Sequence, residues 1–300
     1  MSVAVRSLLL ITPLILIALW GSLHTPAPLP DSDDDMDDIE LSTLPAVPRW
    51  ALGRLPDFDA YYDVTEKKAA FFSYLYTRAV VVNARILLQR EHLIALSQKA
   101  ELTADEELWL ARQAERLRVD EDTGSEQMFA RLLKRLDTLP PSLVLAQAAN
   151  ESAWGTSRFA RDGNNLFGQW CFSPGCGLVP LGRPDGASYE VARFESPYHS
   201  VRSYMQNLNR HPTYQKVRDL REQARRQNRS PTGTELAAGL IGYSERGQEY
   251  IEEIRSMIRF NNLRYYDQQY RDQVEDRRDP GILLQLASAS EEELMPGYGE

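Results

Sequence analysis

Three hundred residues are enough for two domains of ordinary size, or for one domain with long additions. With 43% hydrophobic and 26% charged residues, 17 glycines and 17 prolines, the composition excludes wholesale disorder and collagen-like or low-complexity character. The net charge of -9 is unevenly spread: the acid lies in 31–59 and 266–300, while 139–265 is basic. Its arginines are scattered, so no nucleic-acid partner is expected. His24, His92, His199 and His211 show no metal-ligand spacing, and no G-x-G-x-x-G or Walker-type loop occurs. Neither a metal nor any other cofactor is expected.

At the N-terminus, Arg6 precedes an apolar run from Leu8 to Trp20, broken by Thr12 and Pro13. The run is shorter than the ~20 residues that span a bilayer and has the length of a signal-peptide core. Residues 1–24 therefore read as a signal peptide or N-terminal membrane anchor, the alternative being a buried helix of a cytosolic domain. Residues 25–58, with the run Asp31 to Asp38 and several prolines, read as a disordered linker. A hydrophobic segment on a solvated tether fits an exported protein of the periplasm or cell envelope, with anchoring to the inner membrane as one route. Cys171 and Cys176 flank Pro174-Gly175, and that spacing can close a small disulfide ring, which persists outside the cytosol. Zinc would need two further ligands, and none is near in sequence.

Residues 59–123 form a helical prelude. Apolar residues at three- and four-residue steps predict a helix over 63–99, and Thr103 with Glu106 forms a capping box opening another to about Val119. A polar break, 120–125, leads to a helix from Glu126 to Leu136. Pro140-Pro141 then opens a helix rich in small residues, 142–153, which neighbours can approach on several faces and which should be central. Short strands are expected at 170–172, 177–181 and 188–194, around turns at Pro174-Gly175 and Pro184-Asp185-Gly186. Helices follow at 197–210, 212–226, 234–240 and 248–261. Residues 265–300 read as an acidic, mostly disordered tail.

Glu151 is the one ionisable group of the small-residue helix and lies in its last turn, with Gln147 one turn earlier on the same face. The negative end of the helix dipole disfavours its ionised form. Closure by Trp154, Phe167 and Trp170 would act in the same direction by desolvation. A carboxyl kept protonated near neutral pH is what a general acid for glycosidic cleavage needs.

The string Leu145-Ala-Gln-Ala-Ala-Asn-Glu151-Ser152-Ala-Trp154-Gly155, followed by Asn164-Asn165-Leu166-Phe167-Gly168, resembles the glucosaminidase domain of glycoside hydrolase family 73. The stretches Val191 to Tyr204 and Gly242 to Tyr250 fit that family's order. Gln169-Trp170-Cys171-Phe172 and Cys176-Gly177 resemble its Bax-type members in Gram-negative bacteria. The likeness covers 124–264. It implies an α+β, lysozyme-like module, with a mainly helical lobe and a small β-hairpin lobe about a groove. It implies hydrolysis of the bond after N-acetylglucosamine in peptidoglycan glycan strands, with Glu151 as general acid. Tyr243 matches a tyrosine near the reacting sugar; the alternative is a core tyrosine with its hydroxyl tied off. Gln147, Trp154, Asn165, Phe167 and Trp170 are the candidate substrate contacts, although Ser152, Asn165 and Gly168 also suit a purely structural turn.

The family often places a second acid in the first hairpin strand, where this chain has Gly177-Leu-Val-Pro-Leu181. Glu190 is the replacement candidate, turned toward Glu151 by strand alternation; Asp185 is explained by its turn. A lytic transglycosylase and a non-catalytic peptidoglycan-binding protein are the competing readings. No specific protein partner follows from the sequence.

Overall fold

The computed structural model describes residue 41 and residues 43–184, 186–275 and 279–296. The signal or anchor segment, most of 25–42, and Asp185 lie outside the described residues.

The periodic apolar stretch forms helix α1, Val64–Ser97, whose Asp63 cap accepts the Glu66 N–H at 2.9 Å. Its 34 residues span about 50 Å at ~1.5 Å each. That length serves two cores. Phe71, Leu75, Val80 and Leu88 enter the main one, while Leu93 and Leu96 join a satellite with Leu110, Leu117, Met128 and Leu132. The satellite residues come from α2 (Ala104–Leu117) and α3 (Glu126–Arg135). The Thr103–Glu106 capping box forms as expected. Sharing α1 makes the prelude continuous with the rest of the protein.

Helix α4, Pro141–Ser152, is central: Leu143, Val144, Leu145, Ala146 and Ala148 are fully buried. Alanines let α1 and the later helices approach it closely. Its cap residue is Pro140, which has no side chain to offer the free N–H groups. Asp267 supplies the cap from a distance, accepting from Ser142 N at 2.8 Å and Ser142 Oγ at 2.7 Å.

A short helix, α5 (Arg158–Gly163), leads into three small strands: β1 (Trp170–Cys171), β2 (Gly177–Leu178) and β3 (Glu190–Ala192). They form one antiparallel sheet in the order β1-β3-β2, with Cys171 opposite Glu190 and Leu178 opposite Val191. Then come α6 (Pro197–Arg210), α7 (Gln215–Arg226), α8 (Gly233–Leu236) and α9 (Gln248–Phe260). The plan is α+β: a helical body with a small β lobe.

Two sequence expectations are corrected. The tail is not loose: α10 (Arg264–Tyr270), a π turn, α11 (Pro280–Ser288) and α12 (Glu291–Leu294) return along α1. Val274, Leu283, Ala287 and Leu294 are buried there, and Glu291 pairs with Arg78, itself buried on α1. The buried apolar residues are sparse, with Leu283 and Ala287 one helical turn apart, so acidity dominates the composition while one face still packs. The linker's second half is also built in. Ala51 and Phe58 are buried, Trp50 Nε1 donates to Ala289 O at 2.8 Å, and Arg85 donates to Pro45 O at 2.7 Å.

Candidate active site

Three successive residues after α4 take left-handed backbone: Ala153 (φ 50°), Trp154 (φ 60°) and Gly155 (φ 78°). For the two non-glycine residues this costs about 1–2 kcal/mol each, so the surroundings must hold the turn. Ser152 Oγ does so locally, donating to Ala148 O at 2.6 Å and accepting from Gly155 N at 2.8 Å. Trp154 does so by packing edge-on to Phe71 and Phe72 of α1, with the Lys68 ammonium 4.9 Å from its ring. A Cβ on Gly155 would lie 2.7 Å from the Phe58 ring, so only glycine fits. The Glu-Ser-x-Trp-Gly string is thus largely a turn specification, and its product is a fixed Glu151.

Glu151 is half-buried. Its Oε1 accepts the Tyr250 hydroxyl at 2.7 Å, with Asn150 Nδ2 at 3.5 Å. Its Oε2 faces Gly168, where an added Cβ would stand 3.8 Å away in ordinary van der Waals contact; it is the left-handed backbone there (φ 65°) that favours glycine. Burial pushes the carboxyl above its ordinary range; the hydrogen bonds from Tyr250 and Asn150 pull the other way. Glu253 raises it further and Arg246 lowers it, and these two form an ion pair with each other.

Beneath the carboxylate runs a hydrogen-bonded relay. Gln147 Nε2 donates to the Tyr250 hydroxyl at 2.9 Å, and the Tyr204 hydroxyl of α6 donates to Gln147 Oε1. Phe167 stacks on Tyr204 at 4.0 Å, Tyr243 stacks on Tyr250 at 5.4 Å, and the Tyr243 hydroxyl donates to Phe167 O at 2.8 Å. Four separate stretches of chain are locked to Glu151 through this circuit.

The circuit revises several expectations. Gln147 is fully buried, and Asn165 and Phe167 are each 2% exposed, so they form the floor and do not reach a sugar. Asn165 has both ends occupied: it donates to Gln169 O and Ala192 O, and accepts from Phe167 N and Gln169 N. Tyr243 is half-buried against the core, and its hydroxyl is tied to Phe167 O, as the alternative reading expects. Trp154 is half-buried against α1. Trp170, 52% exposed and edge-on to Tyr189, presents an open ring, and Phe172, Val179 and Leu181 of the same lobe are exposed as well.

Cys171 and Cys176 are joined in a disulfide. Glu190, the expected second acid, has both carboxylate oxygens engaged. Its two oxygens accept from Gly175 N at 3.1 Å, inside the disulfide loop, and from Gly177 N at 2.8 Å, just beyond it, and these bonds hold its carboxyl below the usual range. Its backbone sits opposite Cys171, and its side chain fastens the turn that the disulfide closes. Glu190 and the two sulfurs lie within 4.8 Å, but the bridge and the two amides already engage them.

Tyr250, Tyr204, Glu253 and Arg246 were not among the sequence candidates. Tyr204 and Tyr250 do close the two later stretches that fit the family's order, which was the available signal. Only the packing of α6 and α9 on α4 shows what they touch.

An α+β body whose central helix ends in a desolvated glutamate, at the turn into a small β lobe, has the build of a glycoside hydrolase. Residues 126–263 match the glucosaminidase family, described as mannosyl-glycoprotein endo-beta-N-acetylglucosaminidase. The chain is 35% identical over 208 residues to "Protein bax" of Escherichia coli (strain K12), across 69% of this chain and 74% of that protein. The chain belongs to the glucosaminidase family. Among solved structures it is similar to the catalytic domain of the autolysin Auto from Listeria monocytogenes, with 21% identity and a TM-score of 0.34, covering 59% of this chain and 96% of that one.

Proposed function

We propose that the protein hydrolyses the glycosidic bond after N-acetylglucosamine in peptidoglycan strands, with Glu151 as general acid. The observation that carries this reading is the state of Glu151: burial favours its protonated form, Tyr250 fixes one oxygen, and the other faces the bare backbone of Gly168. In that position Oε2 delivers a proton to the leaving oxygen as the glycosidic bond breaks; water supplies hydroxide to the sugar carbon, and its remaining proton restores the Glu151 acid. Trp170 and Phe172 offer apolar surface on which sugar faces stack. Substrate and family argue for the cell envelope, reached by export through residues 1–24; among the described residues no helix is long and apolar enough to cross a membrane.

Lytic transglycosylation is the second reading. The engagement of Glu190 by two amides favours it, because that reaction needs a single acid. Digestion of purified sacculi, borohydride reduction and identification of the new ends separates the two. Reduced glucosamine ends, absent with Glu151→Gln, are the expected result. Anhydromuramoyl ends would establish the transglycosylase. Binding without any new ends would leave a non-catalytic envelope protein.

A further inference from the structure

The turn that fixes Glu151 is braced from outside the stretch that matches the glucosaminidase family. Residues 126–263 contain Glu151, Ser152 and the left-handed turn, but the wall behind that turn begins much earlier in the chain. Asp57 caps the single 3-10 turn Phe58–Ala60, its Oδ1 accepting the Asp59 N–H at 3.1 Å. Phe58 points inward from this turn and is 2% exposed, its ring edge-on to Phe71 at 5.3 Å and to Tyr74 at 6.1 Å on α1. Phe71 in turn meets the Trp154 ring edge-on. Beside it Asp59 accepts from Arg161 of α5 at 3.0 Å and lies 3.7 Å from the Lys67 ammonium of α1. Exposed pairs of this kind contribute little, so the buried ring is the part that bears on the turn.

Gly155 is the point of contact. A Cβ there would stand 2.7 and 3.1 Å from two ring carbons of Phe58 and 3.4 Å from one of Phe71, so the Phe58 ring lies against bare backbone. A left-handed Ala153 and Trp154 are strained, and such strain persists only where the surroundings over-determine the conformation. Ser152 ties the turn on one side, through the Gly155 N–H, and Phe58 fills the other. Without the ring a void opens beside Gly155, and the aromatic wall under Trp154 loses its outer member. The end of α4, which carries Glu151 and Ser152, is then free to shift.

We propose that Phe58 is a positioning residue for Glu151, acting through Gly155 and the Phe71–Trp154 wall, so that a segment ahead of the family's stretch completes the site; this rests on the reading of Glu151 as general acid. Phe58 itself acts at a distance from the sugar, on the placing and the dryness of the carboxyl. A loosened turn admits water to Glu151, and since burial is what raises that carboxyl, it falls back toward its ordinary range. A general acid of lower pKa gives up its proton at lower pH, so the alkaline limb of the rate profile moves the same way.

The test compares Phe58→Ala and Phe58→Leu with Leu110→Ala in the full chain, at a temperature where circular dichroism shows each variant folded. Leu110 is fully buried in the satellite core, so its truncation destabilises the protein without touching the turn. Phe58→Ala should lower kcat on sacculi about 10- to 100-fold with KM little changed, and move the alkaline limb to lower pH. It should also speed hydrogen exchange about tenfold more than Leu110→Ala does at the Gly155 and Ser157 amides, which Ser152 Oγ and Ser152 O accept. Phe58→Leu refills part of the space and should recover part of each loss; if Phe58→Ala does not fold, Phe58→Leu carries the comparison with smaller effects of the same sign. An equal loss of kcat in Leu110→Ala, or turn amides that exchange as in the wild type, would overturn the proposal. Exchange is read without turnover: unaltered exchange removes the role of Phe58 and leaves Glu151 in place, whereas full activity in Glu151→Gln removes the general acid itself.

Discussion

Replacing Tyr250 with Phe removes one oxygen atom and keeps the ring stacked on Tyr243. That oxygen has two partners: it donates to Glu151 Oε1 at 2.7 Å and accepts from Gln147 Nε2 at 2.9 Å. The first loss concerns Glu151. The donor favours the ionised carboxylate, so its removal raises the carboxyl further, and the alkaline limb of the kcat profile moves to higher pH. The second loss concerns Gln147, whose fully buried amide N–H is left without an acceptor, at a cost of about 1–3 kcal/mol. At ~2–4 °C per kcal/mol, Tm falls by on the order of 5 °C. Positioning suffers as well: a hydrogen bond to a charged group contributes about 1.5–3 kcal/mol, which sets the loss of kcat at ~10- to 100-fold. Turnover of sacculi across a pH series, with differential scanning fluorimetry on the same preparation, reads all three effects. An unchanged Tm, or an alkaline limb moving to lower pH, would refute the relay.

Glu253→Gln removes the carboxylate that raises Glu151, so the alkaline limb should move to lower pH, the opposite of Tyr250→Phe, in the same activity series. Glu151→Gln should stabilise the fold at pH 8 but not at pH 4 in paired melts. A carboxyl raised on folding contributes fully below its unfolded pKa, and that contribution is lost as pH rises through the folded value. Asp267→Ala takes the distant cap from α4 and should lower stability by about 1–3 kcal/mol in urea unfolding. Glu190→Gln should speed hydrogen exchange at the Gly175 and Gly177 amides while reducing turnover far less than Glu151→Gln does.

Helices were legible wherever a cap and an apolar period coincided. Thr103 with Glu106 marks a true boundary, and the polar break at 120–125 ends where α3 begins. The centrality of α4 was legible too, because a run of small residues can only be tolerated where neighbours come close. The tail was misread because its packing face is thin: Leu283, Ala287 and Leu294 are too few to outweigh the surrounding acid in any composition window. Their partners lie on α1, some two hundred residues earlier, and no local pattern reports that distance.

The site divides in the same way. Position in the last helical turn offered Glu151 as a candidate, and the likeness of its flanking residues to the glucosaminidase family singled it out. The roles of Gln147, Asn165 and Phe167 depend on burial, and a motif does not distinguish a residue that touches substrate from one that holds the residue that does. Glu190 makes the point most sharply. Strand alternation turned it toward Glu151, and two facts beyond alternation decide where its carboxylate goes. Cys171 lies directly across the sheet, and the amides of Gly175 in the disulfide ring and Gly177 just after it are within reach. An acid beside two free N–H groups binds them before anything else, so the five-residue cysteine spacing, taken together with the register, determined the fate of Glu190.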